Sequence, residues 1–450
     1  MWYGLYACRK ENNMRHKKEQ YQLLINLLNY LKKNNLYWKE KLMEYNEITE
    51  DNIEHIYNIL EVTNKKDILE NLYHYMDPDF TKNFSDITSL KEYLLSVSEL
   101  SNNNDRTMQK NGRQWVIQTT TGTTGKPFPV VMNPMEEFVA AKFLMKKRKE
   151  HYKQACISNG FLLAHEVDPA ITKMDYRSEK SNMHEVIDYF IEKKPKWMFV
   201  SVNSLKRLVS AIMKYRLNDV KKIDVKFIEI TGAKLYHEDE KEIRKVFTCP
   251  LINQYGCRES WYIAYECPCG KLHINTDNLI IDVVDKKGQV ISNEGKTGEV
   301  VVTNLNTKTM PFVKYHLGDY AYITQEKCLC GNEGPIIYLD GGRVSERLKN
   351  TKYNGSEVFR KVLRVLYFKK NIRYNKVYIV QDGEFHLSIY IDLLSDRYEF
   401  EKKFIEVSNI IIDEFKAFSV SFIYDQIIQE KSNFLKEQIY VCKVIEEANK

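Results

Sequence analysis

Apolar residues at Tyr21, Leu24, Ile25, Leu28 and Leu31 recur three and four positions apart, a spacing that predicts an amphipathic packing helix over 19–45. From Leu60 to Ile68 the chain offers a turn and a helix start, with Thr63 or Asn64 as its cap. Asn102–Asp105 reads as an exposed turn. From about residue 113 the pattern changes to short β-type runs at Trp115–Gln118, Phe128–Met132, Phe161–Ala164, Trp197–Val200 and Phe227–Thr231. Helical stretches such as Pro134–Lys149 and Ser204–Tyr215 fall between several of them, and this alternation predicts an α/β domain containing parallel sheet.

Past residue 278 the runs Leu279–Val284 and Glu299–Thr303 lie closer together, with Lys286-Lys287-Gly288 as a turn, and read as antiparallel. Beyond Gly341-Gly342-Arg343 the pattern predicts a helix near 355–367, strands near 376–381 and 385–391, a charged helix over about 395–416 and a last strand. That is a small α+β domain. The expected architecture is therefore α/β: a large N-terminal domain with mixed sheets over 1–342, led by helices over about 1–112, and a small mobile C-terminal domain over 343–450.

A chain of 450 residues exceeds what one hydrophobic core supports, in keeping with two domains. Its 43% hydrophobic and 28% charged residues are those of a globular protein. The formal charge of +6 is spread along the chain, so nucleic acid is not an expected partner. The first ten residues do not read as a signal peptide, and no run reaches the roughly 18 apolar residues of a spanning helix. The expectation is a cytoplasmic protein without membrane contact. Nine cysteines, four of them in two C-x-C pairs, suit a reducing compartment and a metal better than a disulfide framework.

The densest chemical signal is Gln118-Thr-Thr-Thr-Gly-Thr-Thr-Gly-Lys-Pro127. Glycines let the backbone approach an anion, hydroxyls and backbone N–H groups donate hydrogen bonds, and Lys126 supplies a point charge, so the loop is suited to phosphate. Its glycines are three positions apart and Pro127 stands where a Walker loop has a hydroxyl, which excludes the P-loop. Three further segments carry related chemistry. In Tyr255-Gly256-Cys257-Arg258-Glu259 a ring can stack on a base, a glycine admits it, and a carboxylate can hold Mg²⁺. Thr231-Gly232-Ala233-Lys234 ends a strand where an open α/β sheet binds ligands. Tyr315-His316-Leu317-Gly318-Asp319 offers an acceptor-only carboxylate suited to hydroxyl pairs.

Together these segments resemble the acyl-adenylate-forming (AMP-binding) superfamily. The phosphate loop is close to [ST]-[ST]-G-T-T-G-x-P, the second segment is similar to Y-G-x-[ST]-E with Arg258 for the hydroxyl, and the fourth to Y-x-[TS]-G-D with Leu317 for the hydroxyl. Lys234 stands where the adenine-pocket segment has an acid. The neighbours Glu266-Cys267, Leu272-His273-Ile274, Gly298–Thr303, Met310-Pro311-Phe312 and Cys328-Leu329-Cys330-Gly331 resemble the phenylacetate–CoA ligase and coenzyme F390 synthetase (CapK-like) branch. The likeness covers roughly residues 25–345 well and the C-terminal domain poorly.

The resemblance implies ATP as a cofactor, held by Thr120, Thr121, Gly122, Thr123, Thr124, Gly125, Lys126, Gly232, Ala233, Tyr255, Gly256, Asp319 and Arg343. Glu259 would hold Mg²⁺, Asp319 and Arg343 would meet the ribose, and Ser345 would be the hinge. It further implies a structural zinc on Cys267, His273, Cys328 and Cys330, with Cys269 as the alternate ligand. For the adenylation lysine the C-terminal segment Lys431–Lys436 offers Lys436, although alignment on Lys431-Ser432 places Phe434 at that position instead.

The activity implied is ATP-dependent activation of a small carboxylic acid, aryl acids included, as acyl-AMP with release of pyrophosphate, followed by transfer to a thiol such as coenzyme A. A carrier-protein thiol or an amine as acceptor, or a catalytically inactive nucleotide-binding homologue, stand as alternatives. A homodimer remains open. Nucleic-acid binding through the two C-x-C pairs is disfavoured because no basic stripe adjoins them.

Overall fold

The computed structural model describes residues 2–99, 107–120, 128–162, 183–232, 235–292, 294–343, 348, 358, 361–362, 365–366, 374–393, 397–416, 418–424 and 439–442. The chain opens with helices from Trp2–Asn34 to Ile87–Glu99. The helix expected over 19–45 begins earlier and breaks at Asn35, whose buried side chain accepts from Trp38 N at 3.1 Å and donates to Tyr75 O at 2.7 Å, capping a second helix, Leu36–Lys41. Asn64 rather than Thr63 caps the helix Lys65–Glu70, in a capping box with Asp67. Thr63 instead forms a bridge with Tyr315.

A three-stranded sheet follows, β1 (Thr107–Lys110), β2 (Arg113–Thr120) and β3 (Phe128–Met132), all antiparallel. Phe128 and Val130 from this sheet join Leu24, Leu28, Trp38, Phe80, Phe312 and Tyr315 in one buried cluster. The sheet is thereby packed against the helical lead-in.

The main sheet has ten strands: β4 (Gly160–Leu162), β5 (Trp197–Ser201), β6 (Phe227–Thr231), β7 (Leu251–Tyr255), β8 (Ala264–Glu266), β9 (Leu272–Ile274), β10 (Leu279–Val284), β11 (Gly298–Asn304), β12 (Tyr315–Thr324) and β13 (Ile336–Arg343). Its order is β10-β11-β12-β13-β9-β8-β7-β6-β5-β4. Strands β4 to β7 pair in parallel and the remaining pairs are antiparallel; the runs at 115–118 and 128–132, read with the parallel set, belong instead to the antiparallel β2–β3 pair, because no helix separates them. The helices Met183–Lys193 and Val202–Tyr215 cover the parallel half, packing Ile187, Phe190, Leu205, Leu208 and Ile212 on Met198, Val200, Ile228 and Ile230.

The C-terminal part is a separate four-stranded sheet in the order β16-β15-β14-β17, comprising β14 (Tyr374–Gly383), β15 (His386–Leu393), β16 (Ser419–Tyr424) and β17 (Ile439–Cys442). The helix Arg397–Glu414 packs Phe400, Val407 and Ile411 onto Ile379, Leu387 and Ile389. The turn expected at Asn102–Asp105 and nearly all of the helix expected near 355–367 lie outside the described residues. Among the described residues no helix is long and apolar enough to cross a membrane.

One charged pair within the core escaped the sequence reading. Glu229, fully buried on β6, receives Arg148 Nε at 2.7 Å and Nη2 at 3.1 Å, and the Tyr265 hydroxyl donates to it at 3.2 Å. The guanidinium lies 4.4 Å from the Trp197 ring centre. Removing one partner strands a charge in the core, which costs about 3–5 kcal/mol, whereas removing both charges leaves none to desolvate. Arg148→Met is therefore expected to destabilise the large domain by about that amount, and Arg148→Met with Glu229→Gln by distinctly less; urea denaturation of the two variants measures the difference.

Candidate active site and metal centre

The parallel half of the sheet ends in a row of loops at the carboxyl ends of its strands, where open α/β sheets bind ligands. Gly232, just past β6, has φ +81°, a backbone state that side-chain-bearing residues rarely adopt. Gly256, just past β7, meets a different constraint: a Cβ there would collide with the Trp261 carbonyl oxygen and the Gln254 side-chain amide. The loop after β7 folds back tightly, with Ile263 N donating to Tyr255 O at 2.8 Å and Gln254 Nε2 to Trp261 O at 3.1 Å. Trp261 itself sits at φ +61°. Glu259 lies in this loop and is buried.

Two strands of the antiparallel half complete the arrangement. The Tyr255 hydroxyl donates to Asp319 Oδ2 at 2.8 Å, and Asp319 on β12 stands in register with Arg343 on β13. Three positions widely separated in the chain thus meet at one place in the sheet. Gly318, beside Asp319, has φ +81°, and the ladder carries a bulge between Asp319 and Ala321.

Glu259 is buried, accepting from the Tyr315 hydroxyl at 3.2 Å on Oε1 and, through its backbone carbonyl, from Asn304 Nδ2 at 3.2 Å. Burial, with the nearby Glu259 carboxylate adding to it, pushes the Tyr315 hydroxyl and the Cys257 thiol far above their usual ranges. The phenol therefore stays a donor to Glu259. The Tyr315 ring stacks on Phe128 with centroids 6.2 Å apart and planes at 11°. Phe128 and Thr120 are the closing pair of the β2–β3 hairpin, and Phe128 N donates to Thr120 Oγ1 at 3.3 Å. Arg258 Nη1 reaches Gln118 Oε1 at 3.4 Å on the same hairpin.

Gly232 and Tyr255 lie at the ends of β6 and β7, Gly256 and Glu259 in the loop after β7, Asp319 on β12 and Thr120 at the end of β2 in the three-stranded sheet, and Arg343 is placed by its backbone. Thr121, Gly122, Thr123, Thr124, Gly125, Lys126, Ala233, Ser345 and Lys436 lie outside the described residues. Tyr315, Gln118 and Asn304, which hold Glu259 and its neighbour Arg258, were not singled out for that role. The only sign of Tyr315 in the sequence is its place at the head of the Asp319 segment.

A second cluster lies in the antiparallel half of the sheet. The ligand atoms of Cys267, His273, Cys328 and Cys330 all fall within 4.8 Å of one another. Cys267 Sγ is 3.6 Å from Cys328 Sγ, and Cys330 Sγ is 3.4 Å from His273 Nε2. Two sulfurs bound about 2.3 Å from a tetrahedral zinc stand about 3.8 Å apart, so the spacing fits such an ion. The pairing Ile336↔His273 joins β13 to β9 and sets one turn beside the other. Each cysteine pair sits in a tight turn closed by a glycine, Gly270 at φ +72° and Gly331 at φ +83°. His273 Nδ1 lies 3.2 Å from the Gly334 carbonyl, which fixes Nε2 as the free ligand nitrogen. A backbone hydrogen bond from Cys330 holds the Cys328 thiol down to about 6, while burial pushes Cys330 up to about 11. Cys269, the alternate, is exposed and outside the four-atom set.

No family model matches the chain. A phenylacetate-coenzyme A ligase of Thermus thermophilus is 36% identical over 80 residues, 17% of this chain and 17% of that protein. Protein CapK of Staphylococcus aureus is 26% identical over 149 residues, 32% of this chain and 30% of that protein. The matched stretches thus span less than a third of either curated relative. Among solved structures, 2-hydroxyisobutyryl-CoA ligase in the postadenylation state in complex with 2-HIB-AMP aligns with a TM-score of 0.65 at 11% identity, over 96% of this chain and 90% of that one. The same ligase in complex with 2-HIB-AMP and CoA in the thioesterification state gives 0.57 at 13% identity, over 97% and 92%. The fold is that of the adenylate-forming enzymes. In sequence the chain is similar, over those stretches, to phenylacetate-coenzyme A ligase and CapK.

The cluster geometry predicts one zinc per chain in protein purified without chelator, measured by elemental analysis. His273→Ala and Cys328→Ser should each lower that content well below one and reduce thermal stability, whereas Cys269→Ser should leave both near wild type.

Proposed function

We propose that this protein is an AMP-forming acid–thiol ligase: it joins a carboxylic acid to AMP from ATP, releases pyrophosphate, and passes the acyl group to coenzyme A. The observation that carries this reading is the meeting of Tyr255, Asp319 and Glu259 at the carboxyl end of the parallel strands, directly beside the hairpin of the Thr-Gly-rich loop. In this reading the base slot and the ribose acceptor adjoin the two strands that flank the phosphate loop. This is the order in which ATP presents its parts.

In this reading Tyr255 stacks on adenine beside Gly232, Ala233 and Gly256. Asp319, with Arg343 opposite, binds the ribose hydroxyls. Thr120 to Lys126 surround the phosphates. Glu259, oriented by Tyr315, is the residue that would hold Mg²⁺, whose contribution is to neutralise phosphate charge. The acid's carboxylate is itself the nucleophile at the α-phosphorus, so no general base is needed, and catalysis rests on positioning and charge stabilisation. Lys436 supplies positive charge as pyrophosphate leaves. Ser345 is the pivot about which the domain of residues 343–450 turns between the two half-reactions. The zinc on Cys267, His273, Cys328 and Cys330 is structural, because a set of four protein ligands leaves no position for substrate.

Pyrophosphate release measured over aryl and aliphatic acids, with hydroxylamine as acyl trap, tests the first half-reaction; coenzyme A and a phosphopantetheinyl carrier protein, offered separately, test the second. Acid-dependent release is expected. Asp319→Ala should raise KM for ATP about tenfold to a hundredfold, the worth of one hydrogen bond to a charged group. Lys436→Ala should slow adenylation by about a hundredfold or more while leaving ATP binding intact. Tight ATP binding without release for any acid would instead mark an inactive nucleotide-binding homologue.

A further inference from the structure

The hairpin of β14 and β15 sets two residues of catalytic chemistry against a third on the next strand. Asp382 and His386 flank its turn, and Asp382 Oδ1 accepts from His386 Nδ1. On the other side of the ring, His386 Nε2 lies 2.9 Å from Ser421 Oγ on β16. Ser388 Oγ donates to Asp382 Oδ2 at 2.6 Å, which fixes the orientation of the carboxylate. Gly383, in register with His386, leaves room for the ring, since a Cβ there would stand 3.0 Å from His386 Cβ.

The strand pattern explains the meeting. Leu387, Ile389, Val420 and Phe422 pack on the side of the sheet that carries the helix Arg397–Glu414, so the residues alternating with them, His386, Ser388 and Ser421, face the other side. The parallel register Ser388↔Ser421 sets Ser421 diagonally beside His386. The side chains of His386 and Asp382 are 33% and 32% exposed and Ser421 is exposed, so a small molecule reaches all three from solvent. Burial raises the Asp382 pKa, but the hydrogen bonds from Ser388 and His386 outweigh it and hold the carboxylate below its usual range. An ionised Asp382 only accepts, so Nδ1 carries a proton, and in the neutral ring Nε2 is the nitrogen that accepts from the Ser421 hydroxyl. Nucleophile, base and orienting acid then stand in the order that acyl transfer requires.

We propose that Ser421 is the nucleophile of a second active centre, in the C-terminal sheet, which hydrolyses small esters with good leaving groups. His386 is its general base, and Asp382 is the positioning residue that holds the imidazole. Ser421 Oγ attacks the ester carbonyl carbon while its proton passes to His386 Nε2. The carbon–oxygen bond to the leaving group then breaks, and the leaving alcohol takes that proton. Water, giving a proton to the same nitrogen, attacks the acyl-serine; the Ser421 ester bond breaks, the proton returns to Oγ and the acid leaves. Ester and water thus give acid and alcohol, with no change of oxidation state. The developing oxyanion meets the edge of β16, the outermost strand of the described sheet. Ser419 N donates to Phe385 O at 2.9 Å on the β15 side, so the alternating N–H of Phe422, directly after the nucleophile, turns outward. The centre stands on its own geometry, independent of the adenylation reading.

The experiment uses the full chain without ATP, p-nitrophenyl acetate as the ester and a fluorophosphonate as a serine-directed label, with peptide mass spectrometry to locate adducts. Expected are p-nitrophenolate release above the buffer rate and acetyl and phosphonyl adducts on Ser421. Ser421→Ala should lose both, and His386→Gln should slow release by about a hundredfold or more, the worth of a general base. Asp382→Asn should lower kcat with KM unchanged. Ser419→Ala, which removes the hydroxyl two positions along the same face, should match the wild type. Release from Ser421→Ala at the wild-type rate, adducts on other residues with none on Ser421, or no release above buffer from the wild type overturns the proposal, and each of these leaves the adenylation reading untouched.

Discussion

Strand β7 is the constraint on which the arrangement depends. It pairs in parallel with β6 on one side and antiparallel with β8 on the other, so it is the seam between a crossover-connected half-sheet and a meandering one. Tyr255 ends that strand. Its hydroxyl reaches Asp319 across the antiparallel half, while the loop it begins carries Glu259. Were β7 paired on one side only, the loops of the parallel half and the strands bearing Asp319 and Arg343 would belong to separate layers.

The helical lead-in acts on this site through the segment that enters β12. Thr63 N donates to Lys314 O at 2.9 Å and His316 N to Thr63 O at 2.8 Å, so residue 63 extends the sheet at the point where Tyr315 must be held. Lys314 adopts φ +48° and is buried, its ammonium donating to Tyr57 O at 3.1 Å and Asn58 O at 3.4 Å. Burial lowers its pKa and the Asp282 carboxylate opposes that shift. On the other side Glu136 accepts from Lys308 N at 2.6 Å and Thr309 N at 2.9 Å. Backbone groups at 308, 309, 314 and 316 thus find partners in elements more than 170 residues away, and together with the β11 pairing Val302↔Tyr315 they fix Tyr315 over Glu259.

This dependence on distant partners explains what could be read in the sequence. The existence of the strands and their alternation with helices past residue 133 were legible because each is a local pattern, whereas the antiparallel pairing of β2 with β3 was not, since the runs themselves do not state which partner they take. The break at Asn35 was not, because an asparagine within a helical pattern becomes a cap only when its amide finds Tyr75 O, 40 residues on. Arg148–Glu229 and Lys314 were invisible for the same reason: a charge in sequence reads as surface until the fold supplies its partner. The choice between Cys269 and His273 could not be made from spacing either. It follows geometrically from the β13–β9 pairing, which turns His273 inward and leaves Cys269 at the rim.

The Cys/His cluster and the Asp319 segment are connected by one strand. β13 starts with Ile336 in register with His273 and ends with Arg343 in register with Asp319. Seven residue steps separate the two, about 23 Å at the usual rise of a strand. A one-residue slip in that strand would turn every side chain to the other face and move Arg343 out of register with Asp319. The β13–β9 ladder holds only a single described register pair, too little to fix register alone, whereas a metal ion joining the turns before β13 and β9 would do so from outside the sheet. Which residue faces Asp319 is set by the β12–β13 ladder, from Thr324↔Ile336 to Asp319↔Arg343, and the Cys/His cluster lies beside the end at which that ladder begins.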